Sequence, residues 1–171
     1  MSKALVVIDV QKYFVVDRAA NLPNKIAWHI KENDYDHVLF LKFRNDPQSN
    51  FHKLLNFSEV TKAPATDIHE TLTEFVTDNN VFEKTTYSAF KAEKFVEYLK
   101  EHEVDALDLC GISFDACVLS TGFEAFDLGY EVNILDHLCS VSSISSELED
   151  AAKIIVTRDL RKREFRSKRE V

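Results

Sequence analysis

Glycine and proline are scarce in this chain of 171 residues, with three of each. Average usage of about 7% would supply roughly 12 glycines. Neither GxGxxG nor GxxxxGK followed by Ser or Thr occurs, which excludes the glycine-built phosphate cradles of nucleotide enzymes. Cysteine is equally sparse. Three residues, an odd number with no CxxC pair, do not form a disulfide framework and point to a reducing cytoplasm. No apolar run approaches the roughly 18 residues of a membrane span, and Ala4–Ile8 is too short for a signal peptide, so no membrane partner is expected. Phenylalanine, by contrast, is abundant at 13 residues. The 45% hydrophobic and 29% charged fractions suit one soluble domain with a substantial core.

A net positive balance is found only at the C-terminus. Residues 158–171 hold seven basic and three acidic side chains, a balance of +4; the whole chain is −8, so residues 1–157 carry −12. An acidic body does not favour a phosphate backbone, and no nucleic-acid partner is expected. The division follows: a domain over residues 1–157 and a basic tail over 158–171, whose counter-charge the acidic body or a second subunit can provide.

Hydrophobic periodicity alternates along the chain. Ala4–Ile8 (ALVVI) is a continuous apolar run, the mark of a strand buried on both faces. Pro23 fits the first turn of a helix that aligns Ile26, Ala27 and Ile30. His37–Phe43 reads as a second strand, residues 44–65 as a long irregular connection, Thr66–Phe75 as helical, and Val81–Glu83 as a short strand. Ala92–Leu99 is an amphipathic helix. Ala106–Leu109 is a strand interrupted by Asp105 and Asp108. Ala116–Leu128 is a helix ending at Gly129, followed by a strand at Tyr130–Leu135, a helix at Ser142–Ala152 and a last short strand at Ile154–Thr157. This alternation implies an α/β fold: an open, mostly parallel, doubly wound (Rossmann-like) sheet with helices on both faces. Ligands bind beyond the carboxyl ends of such strands.

Three reactive residues stand at those ends. Asp9 closes VVID, Lys84 follows VFE, and Cys117 lies six residues after Gly111 at the start of a helix. Together they make coherent chemistry. A helix N-terminus and a nearby ammonium lower a thiol's pKa toward the reactive thiolate. A carboxylate can take the thiol proton and return it to a leaving amine.

The stretches ALVVIDVQ (4–11), FEKTTYSAF (82–90) and GISFDACVLSTGFEAFDLGY (111–130), with a weaker continuation EVNILDHLCS (131–140), resemble the isochorismatase-like cysteine hydrolases, which include nicotinamidases and N-carbamoyl amidases. The likeness spans residues 4–157. It implies that Asp9 is the general base and acid, Lys84 the stabilising lysine and Cys117 the nucleophile. It also implies a cis peptide at Ile112–Ser113, which aims the Ser113 N–H, with that of Cys117, at an oxyanion. The implied reaction is metal-independent hydrolysis of a C–N bond in a small amide, carbamoyl or ureido compound through a Cys thioester. The family commonly forms dimers or tetramers.

One departure from the family bears on metals. Nicotinamidases hold a metal with an Asp-x-His pair after the second strand and a further His; here Phe43 and Asn45 fall at that pair, with only Asp46 and His52 nearby. No metal and no other cofactor is expected. Phe14, Phe43, Phe51 and Tyr87 are candidates for the pocket wall, and Arg44 for a substrate carboxylate. Asp136 resembles a structural aspartate of the family, while Cys110 and Cys139 read as packing thiols. Two alternatives stay open: a vinyl-ether hydrolase of isochorismatase type, and a catalytically silent binding member of the family.

Overall fold

A computed structural model describes residues 2–142 and 145–161. Five strands form one sheet: β1 (Ser2–Ile8), β2 (His37–Phe43), β3 (Val81–Lys84), β4 (Val104–Gly111) and β5 (Glu131–Cys139). Their order is β3-β2-β1-β4-β5 and every pairing is parallel. Ala4 to Ile8 are all fully buried. Successive side chains of a strand point to opposite faces, so the sheet is covered on both. That explains why β1 reads as an unbroken apolar run rather than an alternation. The chain builds outward from β1 to β3, then returns to the other side of β1 for β4 and β5. The resulting switch point lies between β1 and β4, where Ile8 pairs with Gly111. A crevice opens there, beyond the strand ends.

The helices are α1 (Leu22–Glu32), α2 (Asn50–Leu55), α3 (Glu93–Glu101), α4 (Leu119–Asp127) and α5 (Ser146–Asp159). Among the described residues none is long and apolar enough to cross a membrane. Pro23 sits in the first turn of α1 as expected. Gly122 packs α4 closely: a Cβ there would come within 2.8 Å of the Ile134 side chain.

Four elements differ from the sequence expectation. Residues 154–157 are not a strand but the last turns of α5, because Ala152, Val156 and Leu160 bury one helical face while Ile154 is exposed. That helix starts at Ser146 rather than Ser142. The connection 44–65 contains α2, whose cap Ser49 accepts a hydrogen bond from the His52 N–H at 3.1 Å. Within 66–75 only Glu70–Phe75 is helical, as a tight 3-10 segment capped by His69. Asp108, which seemed to interrupt β4, is buried and fully engaged. It takes the Lys3 ammonium at 2.7 Å, the Tyr35 hydroxyl at 2.7 Å and the Asn133 amide at 3.1 Å. In the C-terminal region, Arg161 pairs with Asp136 at 2.7 Å; residues 162–171 of the expected tail lie outside the described residues.

Candidate active site

Asp9 leaves β1 in a left-handed turn (φ 52°), a conformation that Asp tolerates better than most residues. Its N–H donates to Leu41 O at 3.0 Å. Gly111, the last residue of β4, crosses directly over this corner. A Cβ on it would sit 2.1 Å from Ile8 O, and its φ of +122° is one that other residues rarely adopt. Only glycine lets β4 approach the residue that carries Asp9. Beyond it, Ile112–Ser113 is a cis peptide, as the family likeness implied. Phe114–Val118 then forms a single π-helical turn leading into α4. Cys117 therefore sits on a wound turn ahead of the regular helix, rather than in its first α-helical turn.

Lys84 is the final residue of β3, brought alongside Phe43 by parallel pairing with β2. Its ammonium has all three protons committed. It donates to Asp9 Oδ2 at 2.7 Å, to Thr86 O at 2.9 Å and to Cys117 Sγ at 3.6 Å. It also lies 5.5 Å from the Phe43 ring centroid, within cation–π range. Both charged side chains are almost wholly excluded from solvent, at 0% and 2% exposure. Asp9 Oδ1 is buried and, among the described residues, is the one buried side-chain polar atom with no hydrogen-bond partner. The sequence-predicted trio thus converges from three strand ends on one point.

Burial dominates the electrostatics. It raises the Asp9 carboxyl above the ordinary carboxylate range, against the opposing pull of Lys84. Burial also disfavours the Lys84 ammonium, but the negative potential of Asp9 and Cys117 outweighs it and leaves Lys84 raised. The Cys117 thiol is pushed up to about 12, first by burial and then by the Asp9 charge, with Lys84 compensating only in part. The sequence expectation of a lowered thiol pKa is therefore reversed. A lysine and a helical turn act locally, whereas dehydration and the carboxylate arrive through the tertiary fold.

These groups open into a cavity of about 300 Å³. Asp9, Ser113 and Cys117 form its reactive end. Phe14, Phe43, Phe51 and Tyr87, the expected wall residues, all line it. Phe57, which no sequence signal singled out, completes the wall through ring contacts of 6.4 Å to Phe43 and 6.3 Å to Phe51. Gln11 was also missed. Fully buried, it donates to the carbonyls of Phe43 and Thr66 and accepts from the Phe43 N–H at 2.8 Å, which fixes the wall's central residue. Asp115 borders the cavity too, accepting a 2.7 Å hydrogen bond from the Ser113 hydroxyl. Arg44 does not line it. Its side chain turns away to pair with Glu83 at 2.5 Å, correcting its assignment as a carboxylate anchor.

The donors at the end of β2 do not fit a metal. Phe43 offers only a ring, and the buried Asn45 amide is consumed within the loop. It donates to Phe57 O at 2.7 Å and accepts from Asp46 N–H and the Ser49 hydroxyl. Among the described residues no three His, Cys, Asp or Glu side chains group to hold an ion. Cys110 and Cys139 are buried within strands, away from this site.

Comparison with known proteins agrees with this fold. A family model for the Isochorismatase domain matches residues 3–158. The nicotinamidase/pyrazinamidase of Mycobacterium tuberculosis is 28% identical over 88% of this chain and 91% of its own length. An isochorismatase family protein of Bacillus subtilis is 35% identical, but over 38% of this chain and only 34% of its own length. Among solved structures, the pyrazinamidase/nicotinamidase of Streptococcus mutans superposes with a TM-score of 0.78 at 27% identity, covering 93% of this chain and 97% of that one. The N-carbamoylsarcosine amidase of Thermoplasma acidophilum shares the fold at TM-score 0.74 and 17% identity, over 94% of this chain and 93% of its own. These relatives support an amidohydrolase-type enzyme, and the chain belongs to the isochorismatase family.

Proposed function

We propose that the protein hydrolyses the C–N bond of a small amide through a thioester on Cys117. The observation that carries this reading is the convergence of Asp9, Lys84 and Cys117, within 2.7 and 3.6 Å of the Lys84 ammonium, at the closed end of a small cavity. Asp9 takes the thiol proton as sulfur attacks the carbonyl carbon. The carbonyl π pair moves onto oxygen, where the N–H groups of Ser113 and Cys117 receive the developing charge. Collapse of the adduct expels the amine, which leaves as ammonia or a neutral amine with the proton held by Asp9. Asp9, again ionised, then deprotonates a water that attacks the thioester, and returns that proton to the departing thiolate. Acid and amine are the products and the free thiol is restored.

Lys84 keeps Asp9 ionised inside an apolar site and offsets the charge on sulfur during transfer. Every step uses residues of this chain, and none passes through a metal. Three free thiols suit a reducing compartment, and we place the enzyme in the cytoplasm.

The test is ammonia release from a panel of small amides by the purified protein. Cys117→Ala and Asp9→Asn should each lower kcat by about 1,000-fold or more, because each removes a group that forms or breaks a bond. EDTA should leave the wild-type rate unchanged. Activity that survives Cys117→Ala within tenfold refutes the thioester route.

A further inference from the structure

We propose that the substrate of this site is an uncharged amide with an apolar acyl group, aromatic or branched aliphatic, and that amides bearing a carboxylate are rejected. This deepens the amide-hydrolase reading and rests on it.

The rest of the cavity wall is a run of rings in contact. Phe14 meets Phe43 at 6.3 Å, Phe43 meets Phe51 at 4.9 Å, and Phe51 meets Tyr87 at 4.6 Å between centroids. Phe57 closes the run. The acyl group of a substrate whose carbonyl lies at Cys117 therefore faces ring carbon. Apolar surface also continues outward through Leu55 and Tyr87, which are 58% and 43% exposed at the mouth.

Among the described residues that border the cavity, no cation is left to meet an anion. Lys84 has spent its three protons on Asp9, Thr86 and Cys117, and Arg44 is held outside by Glu83. The carboxyl groups that do border the cavity, Asp9 and Asp115, have the wrong sign. A carboxylate entering this space would lose water and gain no partner. A ring nitrogen fares no better as a recognition element: at the end of β2 the chain places the Phe43 ring and the internally bonded Asn45 amide. Volume sets the remaining limit. About 300 Å³ lies at the small end of ligand pockets, which run from about 300 to 1,000 Å³.

The experiment compares benzamide, isovaleramide, nicotinamide, succinamate and N-carbamoylglycine as substrates of the full chain. Benzamide and isovaleramide are expected to exceed the two anionic compounds in kcat/KM by about 100-fold, since an unpaired buried charge costs far more than a lost methylene. Nicotinamide should not surpass benzamide, and added divalent metal should not change that order. Tyr87→Arg, a wall change that leaves Asp9, Lys84 and Cys117 in place, should narrow the gap by about tenfold through KM for the anions. An anionic substrate preferred by the wild type, or a metal-dependent preference for nicotinamide, overturns the proposal.

Binding is read separately, from the protection that each compound gives Cys117 against iodoacetamide. If no amide is hydrolysed but benzamide alone protects, the hydrolase reading fails and the pocket assignment stands. If the anions protect as well as benzamide, the pocket assignment fails whatever the activity.

Discussion

Lys84→Met tests the buried ion pair on which the site is built. Methionine keeps the unbranched stem that runs past Phe43 and removes only the ammonium. In the wild type that ammonium is 2.7 Å from a carboxylate 2% exposed, with no compensating water-facing surface on either group. Breaking a buried pair by removing one partner costs about 3–5 kcal/mol, because the remaining charge stays dehydrated. Against a typical stability of about 5–15 kcal/mol, this is a large fraction. It corresponds to a fall in Tm of about 6–20 °C for a domain of this size.

The loss has a definite pH dependence. Burial already holds Asp9 above its ordinary pKa, and Lys84 is the main influence pulling it down, so the variant raises it further. A carboxyl whose folded pKa exceeds its unfolded value binds protons more tightly when folded. Its contribution is fully present below the unfolded pKa of about 3.9 and is lost as pH rises through the folded one. The deficit of Lys84→Met relative to wild type should therefore be smaller at pH 5 than at pH 8. Urea unfolding followed by circular dichroism at both pH values measures it. Asp9→Asn/Lys84→Met, which removes both charges, should recover about 2 kcal/mol or more of the single variant's loss at pH 8. A deficit equal at the two pH values, or a double variant no more stable than the single, refutes the ion-pair argument.

Three further outcomes follow from the same geometry. Because Cys117 is pushed up to about 12, the resting enzyme holds a neutral thiol. The 240 nm absorbance difference between wild type and Cys117→Ser should show no thiolate at pH 8, and a titration midpoint below about 8.5, the free-thiol value, would contradict this. In the proposed mechanism kcat/KM rises with ionisation of Asp9, so its acid limb should lie above the ordinary carboxylate pKa of about 3.9. The raised Lys84 should add no alkaline limb below about pH 10, and a profile falling near pH 8 would assign the chemistry to a different ionisation. Gly111→Ala should cost at least about 2 kcal/mol and reduce activity, since its Cβ would strike Ile8 beside Asp9; Gly129→Ala, at φ +90° with open space around it, should cost about 1 kcal/mol and spare activity. Equal losses in stability and rate for the two variants would show that the Ile8 contact does not matter.

What could be read from the residues depended on whether the signal was local. β1, β2 and β4 announce themselves as apolar runs because both faces of the sheet are covered. The helix α2 does not, since none of its residues is buried. Phe51 and Leu55 turn to the cavity and its mouth, and Leu54 is 73% exposed, so no core-facing stripe marks the segment. At the end of α5 the adjacent Ile154 and Ile155 suggest a strand, yet Ile154 is exposed while Val156 and Leu160 are buried and Ile155 packs in part. Asp9, Lys84 and Cys117 were found because they sit at strand exits in motifs that resemble a family. Phe57 and Gln11 were not, because their roles depend on contacts across 32 to 55 positions of sequence, or on a loop whose path Asn45 sets. Arg44 was misplaced for a similar reason: strand pairing brings Glu83 beside it, and nothing near position 44 signals that partner.

The high thiol pKa and the apolar wall have a common origin in the exclusion of water from one end of the switch-point crevice. Dehydration makes the thiolate costly at rest, which slows the reaction of Cys117 with passing electrophiles. The same dehydration strengthens the attraction between Lys84 and the sulfur once the proton moves to Asp9, because charges interact more strongly where water is absent. An acyl group that fills the aromatic wall displaces the remaining solvent and so strengthens that attraction at the moment it presents its carbonyl. A charged acyl group would bring its hydration shell with it. In the proposed mechanism, substrate selection and activation of the nucleophile therefore draw on the same rings. A substitution that admits water, such as Phe51→Ser, should weaken apolar substrates and at the same time bring the thiol pKa down toward the ordinary value. A thiol pKa unmoved by Phe51→Ser would separate the two effects and confine the aromatic wall to binding alone.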